Sequence, residues 1–97
     1  MMLEEWRKEI DEIDTQIIGL LNRRARAAQS IGKIKAKAGL PIVDTEREDE
    51  ILRKIARENE GILGNEVVLG IYGKILQKSR QIQIETMKQI LSKGKIV

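Results

Sequence analysis

Ninety-seven residues, with eighteen Lys or Arg against fifteen Asp or Glu, carry a net charge of +3 and include no cysteine, histidine or phenylalanine. Lacking Cys and His, the chain can form no disulfide, thiolate nucleophile, thiolate-zinc site or Ser-His-Asp triad, and it has neither the commonest general base nor the usual metal ligand. Trp6 and Tyr72 are the only aromatics, too few for a single-stranded nucleic-acid stacking platform, and a +3 balance permits an anionic ligand without demanding nucleic acid.

The first element reads as a helix over about residues 3–38. Apolar residues recur as Leu3, Trp6, Ile10, Ile13, Ile17 and Leu20, then Ala27, Ile31, Ile34 and Ala38, which is a heptad a/d seam with one gap. Gly19 and Gly32 lie inside it, each costing about 1 kcal/mol relative to alanine, so packing has to outweigh propensity. Gly39 suits the C-terminal cap, and Pro41 prevents continuation. The second helix spans about 45–59. Thr45 and Glu48 have capping-box spacing, with Asp44 as a competing N-cap. Asn65 is a reasonable N-cap for a third helix over about 65–92, whose stripe runs Val68, Tyr72, Ile75, Ile82, Thr86 and Ile90. The tail Ser92–Val97 reads as frayed. No strand pattern or repeat competes, so the expected fold is all-α, three helices in a single domain over 1–97.

No apolar run approaches the roughly 18 residues of a membrane span, and Met1-Met2-Leu3-Glu4-Glu5 does not read as a signal peptide. A soluble, cytoplasmic chain without membrane contacts is expected. At 1.5 Å per residue the first helix reaches about 54 Å. A compact chain of this size is roughly 30–35 Å across. About 20 Å of apolar-seamed helix would protrude, and a second copy lying against it is the simplest remedy. The expectation is an intertwined two-fold homodimeric bundle.

Polar residues that interrupt the apolar pattern carry the functional signal. Arg24 fills the missing a position between Leu20 and Ala27, where it can snorkel or specify register. Lys35 lies eleven residues on, about 20° around the helix and about 16 Å along it, so two cations share one inward edge. Such a pair needs an anion or carboxylates beside it. Ser79 and Gln83 interrupt the third stripe at i, i+4 and add neutral hydrogen-bonding groups. Arg7, about 25 Å from Arg24 along the same helix, can meet it only across an antiparallel dimer. Asp44, Arg47 and Glu48 have an ordinary explanation in capping and the helix dipole.

Together these segments resemble the all-helical, AroQ-type chorismate mutases. The resemblance is carried by Trp6-Arg7-Lys8-Glu9-Ile10-Asp11-Glu12-Ile13-Asp14, Leu20-Leu21-Asn22-Arg23-Arg24, Ile31-Gly32-Lys33-Ile34-Lys35, Pro41-Ile42-Val43-Asp44-Thr45-Glu46-Arg47-Glu48, and Ser79 with Gln83. It spans about residues 3–87. It implies a dimer of three-helix chains that converts chorismate to prephenate in phenylalanine and tyrosine biosynthesis, an intramolecular Claisen rearrangement needing no cofactor or metal. It further implies a ligand surrounded by Arg7 of the partner subunit, Arg24, Lys35, Asp44, Arg47, Glu48, Ser79 and Gln83. Arg7 and Arg24 would grip carboxylates, and Lys35 and Gln83 would donate to the ether oxygen. Glu48, with the backbone near Asp44, would hold the ring hydroxyl; Arg47 would brace the Lys35 and Asp44 side, and Ser79 would assist a carboxylate. A glutamine at position 83 donates at any pH, whereas a glutamate would first need a proton. Two alternatives stay open: an isochorismate-pyruvate lyase of the same fold, and a catalytically silent helical interaction or regulatory dimer.

Overall fold

The structure is a computed structural model that describes residues 2–94, and all its regular elements there are helices: α1 (Met2–Ala38), α2 (Thr45–Glu58) and α3 (Asn65–Gly94). α1 ends because Gly39 takes a left-handed conformation, φ 67°, which L side chains rarely adopt. The Leu40 amide then donates back to the Lys35 carbonyl at 2.9 Å, the six-to-one bond of a Schellman motif. This turn folds Ile42 and Asp44 back beside the last turns of α1.

Two of the expected caps are corrected. Asp44, not Thr45, is the N-cap of α2: its side chain accepts from the Arg47 amide at 3.0 Å. Glu48 does not reach back, because its carboxylate is taken by Arg80 of α3. For α3, the Gly64 carbonyl accepts from the Val67 and Val68 amides, so Gly64 stands in the N-cap position. Asn65 instead accepts a 2.8 Å bond from Asn59 Nδ2, closing the α2–α3 loop. The expectation of a frayed tail is also overturned for Ser92–Gly94, which continue α3. Its last three positions lie outside the described residues.

Both α1 and α2 pack on α3, and they do not pack on each other. Contacts such as Arg24 with Ser79 and Gly32 with Gln83 show α1 and α3 running in the same direction. The face that α1 gives to α3 is not the heptad seam. It is the neighbouring row of small residues, where Ala28 and Gly32 are buried and Ala25 half-buried. A Cβ on Gly32 would lie 3.0 Å from Gln83 Cα, 3.1 Å from Gln83 O and 3.2 Å from Thr86 Cβ. Two of those atoms are backbone, which cannot swing aside. The glycine therefore exists for close helix approach, and this contact offsets its poor propensity. Beside it, Thr86 is buried and its hydroxyl donates to the Ile82 carbonyl at 2.7 Å.

The seam itself faces outward. Leu3, Trp6, Ile10, Ile13, Ile17 and Leu20 are between 43% and 66% exposed, and no large side chain among the described residues is fully buried. The radius of gyration is 17.5 Å, and the chain extends 65 × 27 × 14 Å. A self-contained domain of this length has a radius of gyration of about 12–13 Å.

Gly32→Ala raises intrinsic helix propensity by about 1 kcal/mol. It should nevertheless lower the thermal unfolding midpoint, because the added methyl meets backbone at the α1–α3 crossing. Calorimetry of the purified variant checks this; an unchanged or higher midpoint would contradict the packing argument.

Candidate functional site

Where α1 and α2 part company over α3, a cleft of about 320 Å³ opens between them. Small-molecule sites run from about 300 to 1,000 Å³, so it fits one compact metabolite. Seven of the eight residues singled out from the sequence line it. Arg24 and Lys35 come from α1, Asp44 from the loop, Arg47 and Glu48 from the first turn of α2, and Ser79 and Gln83 from α3. Ala27, Ala28, Ile31, Ile42, Ile51 and Leu76 supply apolar walls. Arg7 is not brought to this cleft. It sits on the exposed N-terminal half of α1, with Nη1 3.2 Å from Glu4 Oε1.

Each polar side chain has a local reason for its position. Arg24 is half-buried, and its Nη1 donates to Ser79 Oγ, which ties α1 to α3. Ser79 thereby orients the guanidinium and still has a hydroxyl proton to give. Lys35 Nζ donates to the Ile42 carbonyl at 2.9 Å, a partner delivered by the Schellman turn. An ammonium has three protons, so two remain for a ligand. Gln83 stands directly over Gly32, and its Oε1 is buried with no hydrogen-bond partner.

Arg47 behaves differently from the sequence expectation. Its guanidinium lies 3.7 Å from Glu50 on the exposed side of α2, not against Lys35. What braces Asp44 is the Arg47 backbone amide. The residue that sequence reasoning missed is Arg80, which lines the cleft and pairs with Glu48. Its signal was available: it precedes Gln83 by three, so the two are neighbours on the helix surface. A second, mostly apolar hollow of about 280 Å³ lies beside the Arg24–Ser79 contact, bounded by Leu21, Ala25, Ile75 and Ile82.

The cleft thus combines an excess of positive charge with hydrogen-bond donors and no nucleophile of the Cys or His type. Comparison with known proteins agrees with that class. Residues 6–84 match the family described as chorismate mutase type II, and the chain belongs to that family. It is 31% identical over 96 residues to a chorismate mutase of Methanocaldococcus jannaschii, covering 96% of this chain and 95% of that one. It is 50% identical over 78 residues to a bifunctional chorismate mutase/prephenate dehydratase of Aquifex aeolicus. That match covers 76% of this chain but only 22% of the Aquifex protein, so the chain spans about a fifth of that relative's length. Among solved structures, the Helicobacter pylori chorismate mutase in complex with prephenate superposes with a TM-score of 0.79 at 33% identity, over 90% of this chain and 94% of that one.

Asp44→Ala leaves the Arg47 amide uncapped and should cost about 0.5–2 kcal/mol in urea unfolding. Thr45→Ala, at the position the capping-box spacing favours, should change stability by less than about 0.5 kcal/mol. Equal effects would contradict the assignment of Asp44 as the cap.

Proposed function

We propose that the chain converts chorismate to prephenate by an intramolecular Claisen rearrangement, as a homodimer in which the partner's Arg7 completes each cleft. The observation that carries the reading is the charge of the cleft. Of the cations that line it, Arg47 turns to Glu50 and Arg80 pairs with Glu48, which leaves Arg24 and Lys35 against Asp44 alone, a net positive charge on a site sized for one small molecule. Chorismate is a dicarboxylate, and its rearrangement requires no nucleophile, proton carrier or redox partner. The absence of His and Cys therefore costs the reaction nothing.

The chemistry needs a compact reactive conformer and stabilisation of charge as the C–O bond breaks. Arg24, held by Ser79, grips one carboxylate with its planar fork, and the partner's Arg7 grips the other. Lys35, with two protons to spare, and the Gln83 amide nitrogen donate to the ether oxygen. That oxygen becomes enolate-like in the transition state, so these contacts strengthen as the reaction proceeds. Only such strengthening raises the chemical rate. Glu48, with the backbone near Asp44, accepts from the ring hydroxyl.

Dimerisation follows from the uncovered α1 seam. An apolar strip from Leu3 to Leu20 with Trp6 at its head is a cost in water that a second copy removes. Arg7 neighbours Trp6 on that strip, so a partner lying antiparallel on it carries Arg7 toward the open hollow beside Arg24. Nothing in the described helices is long and apolar enough to cross a membrane; the dimer is proposed to work in the cytoplasm.

Purified protein should consume chorismate, followed by loss of its absorbance, and yield prephenate by chromatography. Lys35→Ala should reduce kcat by about 10²–10³-fold with a smaller change in KM, as expected for loss of one oxyanion donor. Salicylate and pyruvate formed only from isochorismate would move the assignment to the lyase. Turnover of neither compound would overturn the enzyme reading.

A further inference from the structure

We propose that Arg80 is a positioning residue that neutralises and orients Glu48, so that a carboxylate can serve as hydroxyl acceptor inside a cleft that takes a dianion. This rests on the functional reading above. Arg80 Nη1 donates to Glu48 Oε1, joining α3 to the first turn of α2. The pair is partly shielded, with side chains 36% and 21% exposed, so it is neither a rim contact nor a fully desolvated one. Both residues line the cleft.

The physical need for such a partner is direct. Glu48 carries a full negative charge into the space that a dicarboxylate must enter. Unpaired, it would repel that ligand and swing between rotamers, because no other hydrogen bond or ion pair among the described residues holds its side chain. Asp44 raises no such problem, since its Oδ1 is committed to the Arg47 amide at the helix start. The neighbouring cations Arg24 and Lys35 are engaged with Ser79 and the Ile42 carbonyl, and Arg47 leans toward Glu50. Arg80 alone answers Glu48 among the described residues. By binding Oε1, it leaves Oε2 as the acceptor and fixes where that oxygen lies. Arg80 touches no reacting atom in this account; it acts through Glu48.

The test is steady-state kinetics with chorismate on the full chain, with wild type measured first. Arg80→Gln keeps a polar side chain of similar reach and removes the charge. Its KM should rise about tenfold with kcat changed less, the size expected for a partly exposed charge pair. Arg80→Lys should stay within about threefold of wild type, since it restores the charge without the fork. The discriminating variant adds Glu48→Gln to Arg80→Gln: removing the unpaired anion should bring KM back down relative to Arg80→Gln alone. A purely structural role for Arg80 would not produce that recovery. An unchanged KM in Arg80→Gln, or no recovery in the double variant, overturns the proposal. A wild type that does not turn over chorismate overturns the functional reading itself, which separates the two failures.

Discussion

Gly32 sets how closely α3 can lie against α1, and the site is built around that distance. With no side chain there, the backbone of α3 at Gln83 comes within about 3 Å of where a Cβ would stand. Ser79 is thereby brought against Arg24, and Gln83 is set opposite the stretch that ends in Lys35. The same contact separates the two faces of α1. Its row of small residues is spent on α3, leaving the heptad seam of large residues uncovered. A fold that used the seam for its own core would have no surface with which to recruit a second chain.

The cleft exists because α1 and α2 both lean on α3 without meeting. Its walls are apolar and its polar groups are tethered: Arg24 to Ser79, Lys35 to the Ile42 carbonyl, Asp44 to the Arg47 amide, Glu48 to Arg80. Tethers of this kind hold the donors in place before a ligand arrives, so little reorganisation is left for the moment of reaction. A unimolecular rearrangement suits such a site, since conformer selection and fixed charge are all it asks of a protein.

Much of this was legible in the chain. Three helices, the Gly39 stop and the cleft residues Arg24, Lys35, Ser79 and Gln83 follow from periodicity, glycine and proline placement, and polar interruptions of the stripes; Asp44, Arg47 and Glu48 were assigned to the site only by the family resemblance. What was not legible has physical causes. Asp44 and Thr45 are both good caps, and only the path of the loop decides between them. The row of small residues through Ala28 and Gly32, which packs on α3, gives no signal beside a seam of large apolar residues that dominates the pattern. Glu48 looked like a capping-box partner until α3 supplied Arg80, a pairing between residues 32 apart in sequence. The resemblance set Arg47 to brace the Lys35 and Asp44 side, but a glutamate one turn on competes for its guanidinium.

The central claim is that one cleft is assembled from two chains, Arg24 from one and Arg7 from the other. Its most direct test is complementation between two inactive variants, Arg7→Ala and Arg24→Ala, unfolded together and refolded as a mixture. Each mixed dimer would contain one site with both arginines intact and one with neither. With random pairing the mixture should therefore recover about a quarter of wild-type chorismate turnover, while either variant refolded alone stays inactive. No recovery from a mixture shown to contain mixed dimers would mean that both arginines act within one chain, and activity in Arg7→Ala alone would mean that Arg7 plays no part in the site.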